Sequence, residues 1–243
     1  MVLILGGTAE ARELAGRLRD AGVAVTSSLA GRVANPRLPA GAVRIGGFGG
    51  PEALATWLAE HGVLAVIDAT HPFAERISAS AARATVLAGV PLLRLERPGW
   101  TERPGDRWHW VDDLDEAASA IPAFGARVLL TTGRQGLHAF ASVRDAWFLI
   151  RCVDPPDSPL PPRHELVLDR GPFTLEGERA LMRRHDIDLL VTKDSGGTHT
   201  VAKLDATRER GVPVIVVRRP PGQATQTAPT VIEAFGWVRA HAG

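Results

Sequence analysis

Short runs of consecutive apolar residues, each ending in a small polar or glycine-containing turn, constrain this chain more than any other feature. They stand at residues 2–5 (VLIL), 63–67 (VLAVI), 127–131 (RVLLT), 188–192 (DLLVT) and 213–217 (PVIVV). A strand that is apolar at every position must be covered on both faces, and helix-length segments separate these runs. The pattern predicts an α/β chain in which parallel sheets are sandwiched between helices.

Around the strongest runs the same reading predicts further strands at 23–28, 42–45, 91–95 and 146–151. It predicts helices at 9–20, 51–60, 72–88, 112–121, 134–142, 174–185, 198–210 and 230–240. Residues 96–110 break the alternation with Pro98, Gly99, Pro104 and Gly105, so the expected division is 1–96 and 97–243. The stretch 154–162 (DPPDSPLPP) carries five prolines and cannot form a helix or a central strand.

Composition narrows the function classes. Twenty-eight basic against 27 acidic residues leave a net charge of +1, which offers no overall excess for a polyanion such as nucleic acid. The single cysteine, Cys152, rules out an internal disulfide and leaves no cysteine-based zinc site to expect. No apolar run approaches the roughly 18 residues of a membrane span. Met1 leads directly into Val2–Leu5 without a basic leader, so the expected location is the cytoplasm.

Five turns carry chemistry. LILGGTAEARELA (3–15) runs from a buried strand through Gly6, Gly7 and Thr8 into a helix. Glycines let the backbone approach an anion, and the helix start supplies amides and a positive dipole end. A tight turn capped by Thr8 is the structural alternative. About 20 residues on, NAD-binding folds place an acid on the ribose. Here Ser27, Ser28 and Arg32 stand instead, and hydroxyls with a guanidinium suit a 2′-phosphate. The third turn holds Asp68, Thr70 and His71 after VLAVI, with a helix cap by Thr70 or His71 before Pro72 as the structural alternative. The fourth is Thr131-Thr132-Gly133-Arg134, where a cation at an expected helix start makes sense beside a bound anion. The fifth is Lys193-Asp194-Ser195-Gly196-Gly197, and the chain's only two lysines, Lys193 and Lys203, bracket it. No HExxH, GxSxG or P-loop spacing occurs, and the absence of tyrosine excludes a YxxxK pair. Trp100, Trp108 and Trp110 fit a planar-ligand pocket or the core equally well.

LILGGTAEAR, DATHPFA, TTGR and VTKDSGG in this order resemble the precorrin-6A reductase family of cobalamin biosynthesis. The resemblance runs from residue 3 to about residue 203. It implies two Rossmann-like parallel-sheet domains with the active site in the cleft between them. It also implies NADPH-dependent reduction of one double bond of a metal-free tetrapyrrole, precorrin-6A, to precorrin-6B; some relatives act on the cobalt-containing analogue. By this resemblance Gly6, Gly7 and Thr8 hold the pyrophosphate, and Ser28 and Arg32 lie near the 2′-phosphate. Asp68, Thr70 and His71 lie near the nicotinamide or the macrocycle, with His71, Asp68 and Lys193 the candidates for catalysis. Arg134, Lys193, Ser195 and Gly196 face the substrate. No resident metal is expected, and the expected partner is the tetrapyrrole alone, with neither nucleic acid nor membrane. The reading from a different class is a non-catalytic NADP-binding sensor.

Overall fold

In the computed structural model, which describes residues 1–31, 37–222 and 225–241, the apolar runs become the inner strands of two six-stranded, all-parallel sheets. In chain order the elements are β1 (Val2–Leu5), α1 (Ala9–Asp20), β2 (Val25–Leu29), β3 (Ala42–Ile45), α2 (Pro51–Glu60), β4 (Ala65–Asp68), α3 (Glu75–Ala88), β5 (Leu92–Leu95) and β6 (Trp108–Val111). They continue with α4 (Leu114–Ala120), β7 (Arg127–Leu130), β8 (Trp147–Cys152), β9 (His164–Leu168), α5 (Leu175–Arg184), β10 (Leu189–Lys193), α6 (Ala202–Arg210), β11 (Val214–Val217), β12 (Gln226–Ala228) and α7 (Val231–His241).

The first sheet has the order β12-β5-β4-β1-β2-β3 and the second β6-β11-β10-β7-β8-β9. Each is the doubly wound arrangement, with a change of winding direction beside its central first strand, β1 or β7. The sixth strand of each sheet comes from elsewhere in the chain. Immediately after β5 the chain supplies β6 to the second sheet, and after β11 it returns with β12 to the first. The chain therefore divides into Met1–Pro98 with Pro220–Gly243, and Gly99–Arg219. The units change at 98/99 and again at 219/220, where the sequence pattern predicts one division, at 96/97. Residues 220–243, expected in the second domain, belong to the first.

Each sheet is held by the core that its sequence pattern requires. In the first unit Ala11, Leu14, Ala15 and Leu18 of α1 pack with Val231, Ala234 and Val238 of α7 over Val2 and Ile4. The other face buries Leu3, Leu5 and Val66 under Leu54, Leu58, Ala81 and Ala84 of α2 and α3. Alternate residues of β1 thus feed opposite layers, which is why VLIL has no polar face. In the second unit Leu129, Leu149, Leu190, Val214 and Val216 pack against Met182, Leu204 and Ala206. Trp100, Trp108 and Trp110 are partly buried against this same cluster, so they serve the core.

Three expected helices differ, and the one expected from 198 begins at Ala202. Residues 134–142 form only a short 3-10 helix, Leu137–Phe140, because Gly133 (φ 78) and Gly136 (φ 82) both take the left-handed conformation. The helix expected from 72 begins at Glu75. Thr70 does not cap it, since its hydroxyl is bound to Asp68.

Candidate active site

The chemistry-bearing turns lie at the carboxyl ends of the parallel strands, where doubly wound sheets bind ligands. In the first unit, β1 lies between β2 and β4, so Leu5 is in register with both Ser28 and Asp68. Pairing alone therefore brings together three of the turns singled out from the sequence.

The turn between β1 and α1 is open at its second glycine. Gly7 sits at φ 122, and an added Cβ would meet nothing within 4 Å. The amide of Gly6 donates to Ser28 O at 2.9 Å and is spent on the sheet. Thr8 caps α1 by accepting from Ala11 N at 3.1 Å, and it donates its hydroxyl proton to Ala69 O at 2.8 Å. Its hydroxyl thus pins the turn to the segment after β4, so Thr8 can meet a phosphate only through its backbone. The start of the 12-residue α1 supplies the dipole end.

Ser28 is buried at the end of β2, and its register partner on β3 is Arg44. The Arg44 guanidinium donates to Gly46 O and Gly47 O at 2.6 and 2.7 Å and lies 3.8 Å from the Phe48 ring centroid. It is a cation beside Ser28 that sequence reasoning missed. Arg32, expected in that role, lies outside the described residues.

Asp68 is buried and saturated with donors. Its Oδ1 accepts from Thr70 N at 3.1 Å and Thr70 Oγ1 at 2.7 Å, and its Oδ2 is paired with Arg94 of β5. Arg94 also donates to Ser78 Oγ at 2.6 Å. The signal for this pair was in the sequence: an arginine inside the apolar run PLLRL requires a buried anion. The same logic joins Arg151, inside AWFLIR, to Glu178 of α5 at 2.8 Å. A recess at the ends of β4 and β5 is lined by Asp68, Pro72, Ser78, Arg94, Glu96 and Thr225, among others.

His71 follows, half-buried. Its Nδ1 accepts from Phe73 N at 3.3 Å. That bond assigns the proton of the neutral ring to Nε2, which makes Nε2 a donor.

In the second unit, β7 and β10 are neighbours, and Thr131 N donates to Val191 O at 2.9 Å. This joins the Thr131–Arg134 turn to the strand that ends in Lys193. Burial pushes the Lys193 ammonium below its ordinary pKa. Ser195 N donates to Lys193 O at 2.7 Å, and Gly196 (φ 63) and Gly197 (φ 71) turn the chain back through the left-handed region. Arg134 stands at no helix start; its guanidinium lies 3.9 Å from the exposed Asp157. Lys203 is buried on α6 with its Nζ 5.2 Å from the Trp100 ring centroid. Burial, reinforced by the Arg151 charge and opposed by Glu178, takes its pKa down to about 7.

Comparison with known proteins places a family over nearly the whole chain. Residues 1–239 match the family described as Precorrin-6x reductase CbiJ/CobK. The chain belongs to the precorrin-6x reductase family. A precorrin-6A reductase of Rhodococcus erythropolis is 55% identical over 239 residues, 98% of this chain and 96% of the relative. A solved structure, CobK precorrin-6A reductase, superposes with a TM-score of 0.94 at 44% identity, covering 100% of this chain and 97% of that one. A cobalt-precorrin-6A reductase of Priestia megaterium is 32% identical over 232 residues, 90% of this chain and 91% of the relative. The precorrin-6x reductases are oxidoreductases of cobalamin biosynthesis, as the sequence resemblance implied. No helix among the described residues is long and apolar enough to cross a membrane.

Proposed function

We propose that this chain reduces metal-free precorrin-6A to precorrin-6B with NADPH. The observation that carries the substrate assignment is the gap in similarity between relatives: 55% identity to a precorrin-6A reductase against 32% to a cobalt-precorrin-6A reductase.

The cofactor assignment rests on the first unit. The open turn at Gly7 and the start of α1 fit a pyrophosphate, while Ser28 and Arg44 fit a 2′-phosphate, the role the sequence also gives Arg32. The recess beside Asp68, Ser78 and Arg94 offers donors and acceptors to a carboxamide. When bound, the cofactor supplies the hydride. The protein's own work is to bind and orient the reactants.

Asp68, expected as a catalytic group, acts as a positioning residue, because both of its oxygens are engaged. It holds Thr70 and, through that loop, His71. His71 offers its Nε2–H as a hydrogen-bond donor that orients the bound reactants, and the proton that completes the reduction comes from water. In the second unit Lys193, Ser195, Gly196 and Arg134 hold the acetate and propionate side chains that a precorrin carries. The partly desolvated Lys193 ammonium is suited to a carboxylate, since bringing in the anion restores the interaction that burial removed.

The test is reduced-nicotinamide consumption with precorrin-6A, with cobalt-precorrin-6A, and with NADH replacing NADPH. Turnover that prefers precorrin-6A and NADPH is the expected result. Faster turnover of the cobalt analogue would overturn the substrate assignment. NADPH binding without turnover of either substrate would support the sensor instead.

A further inference from the structure

The loop Lys193–Gly197 contains a carboxylate to which nothing above gives a role. Asp194 is buried, and its partners are the two segments at which the second unit begins and ends. The amide of Trp100 donates to its Oδ1 at 2.9 Å. Arg219 Nε donates to Asp194 O at 3.0 Å and lies 3.3 Å from Oδ2. Gly99 packs its bare α-carbon against the carboxylate, and a Cβ there would overlap Oδ2. Gly99 is the first residue of the unit and Arg219 the last. At the far end of the same loop, Trp100 Nε1 donates to Gly197 O at 3.0 Å.

These ties bear on the shape of the loop. Two successive left-handed glycines give it conformational freedom that its own short hydrogen bonds do not remove. Further ties come from outside the loop: Asp194 N donates to Val217 O at 2.9 Å, Trp100 binds both ends and Arg219 one. A buried carboxylate is a costly way to pack two chain segments, since apolar side chains would do so without a desolvation penalty. Its place between Lys193 and Ser195 supplies the missing reason.

We propose that Asp194 is a positioning residue for the reductase reaction. By binding Trp100 and Arg219 it holds Lys193 and Ser195 in the shape that receives the substrate's carboxylates, and it makes the substrate loop and the two linking segments one mechanical piece. The inference rests on the reading that this loop binds the tetrapyrrole.

Three variants test it: Asp194→Asn, Gly99→Ala, and Gly99→Ala combined with Asp194→Ala and compared with Asp194→Ala alone. Asp194→Asn keeps the shape and weakens the charge-assisted bonds, so the KM for precorrin-6A should rise about tenfold while the NADPH Kd stays unchanged. In the ligand-free protein the amides of residues 195–198 should exchange about tenfold faster. Gly99→Ala should act in the same direction in the native background. It should add nothing once Asp194 is alanine, because the oxygen it displaces is gone. An Asp194→Asn protein that melts earlier but keeps its KM and its exchange rates would overturn the proposal. So would a Gly99→Ala effect of equal size in both backgrounds. If the native protein fails to reduce precorrin-6A, the proposed function falls, and the exchange rates still decide whether Asp194 shapes the loop.

Discussion

Replacing Arg94 by methionine should be among the most damaging single changes in the first unit. The Asp68 side chain is 3% exposed and that of Arg94 is 10% exposed, so solvent cannot compensate either charge. Removing the guanidinium strips Oδ2 of its donor, while the two bonds from Thr70 fall on Oδ1 and cannot replace it. Ser78 loses its 2.6 Å donor as well. Breaking a buried pair from one side costs about 3–5 kcal/mol. Asp68→Asn is milder. Its amide oxygen still accepts, and Arg94 keeps Glu96 at 3.4 Å as an alternative partner, so about 1–3 kcal/mol is expected. Because each change removes the same interaction, the double variant should fall short of the sum by about 2 kcal/mol. Whole-protein melts would mix the two units, so the assay is native-state hydrogen exchange at the amides of β4 and β5. A loss below about 1 kcal/mol for Arg94→Met, or strict additivity of the pair, would refute the buried-pair reasoning.

Other consequences are open to test. Lys203 has its folded pKa at about 7, below its ordinary 10.5, so the unfolded chain binds the extra proton between those values. Stability should therefore rise with pH across that window by at most about 1.4 kcal/mol per pH unit, and level off below it. Lys203→Met should flatten the slope and raise the neutral-pH melting temperature, because Arg151 and Glu178 remain a balanced pair; an unchanged slope in denaturant titrations at several pH values would count against this. Gly136→Ala must bear a φ of 82 and overlap Leu114, whereas Gly133→Ala at φ 78 meets open space. Urea unfolding of the second unit should show a loss of about 1–3 kcal/mol more for Gly136. Arg32→Ala should weaken NADPH binding at least about tenfold and leave NADH binding nearly unchanged; equal losses by calorimetry would remove the 2′-phosphate role.

Legibility in the sequence followed burial. The inner strands were visible because burial on both faces demands unbroken apolar runs such as VLIL and DLLVT. The strands without a sequence signal, β6, β9 and β12, are all edge strands; β3, the fourth edge, is the exception. An edge strand is half solvated, so WHWV, HELVL and QTA carry no such run. The exchange of sixth strands left no local trace, since pairing partners far apart in sequence impose no pattern on either segment.

The site shows the same division. Turns at strand ends were legible as Gly-Gly-Thr and Asp-Ala-Thr-His because glycines and small polar residues mark them. Their supports lie far along the chain: PLLRL marks Arg94 as a buried cation without naming Asp68 as its partner, and Trp100 and Arg219 carry no mark that ties them to Asp194. Arg134 fits a helix start in the sequence, but Gly133 and Gly136, both left-handed, prevent that helix.

The most direct test of the account is the mass of the tetrapyrrole after anaerobic incubation of precorrin-6A with the protein and NADPH deuterated at the transferring C4 position. Direct hydride transfer predicts a pigment heavier by two hydrogens, one of them deuterium from the cofactor and the other taken from water. A reduced pigment without deuterium would contradict direct transfer, and an unreduced pigment would contradict the proposed function itself.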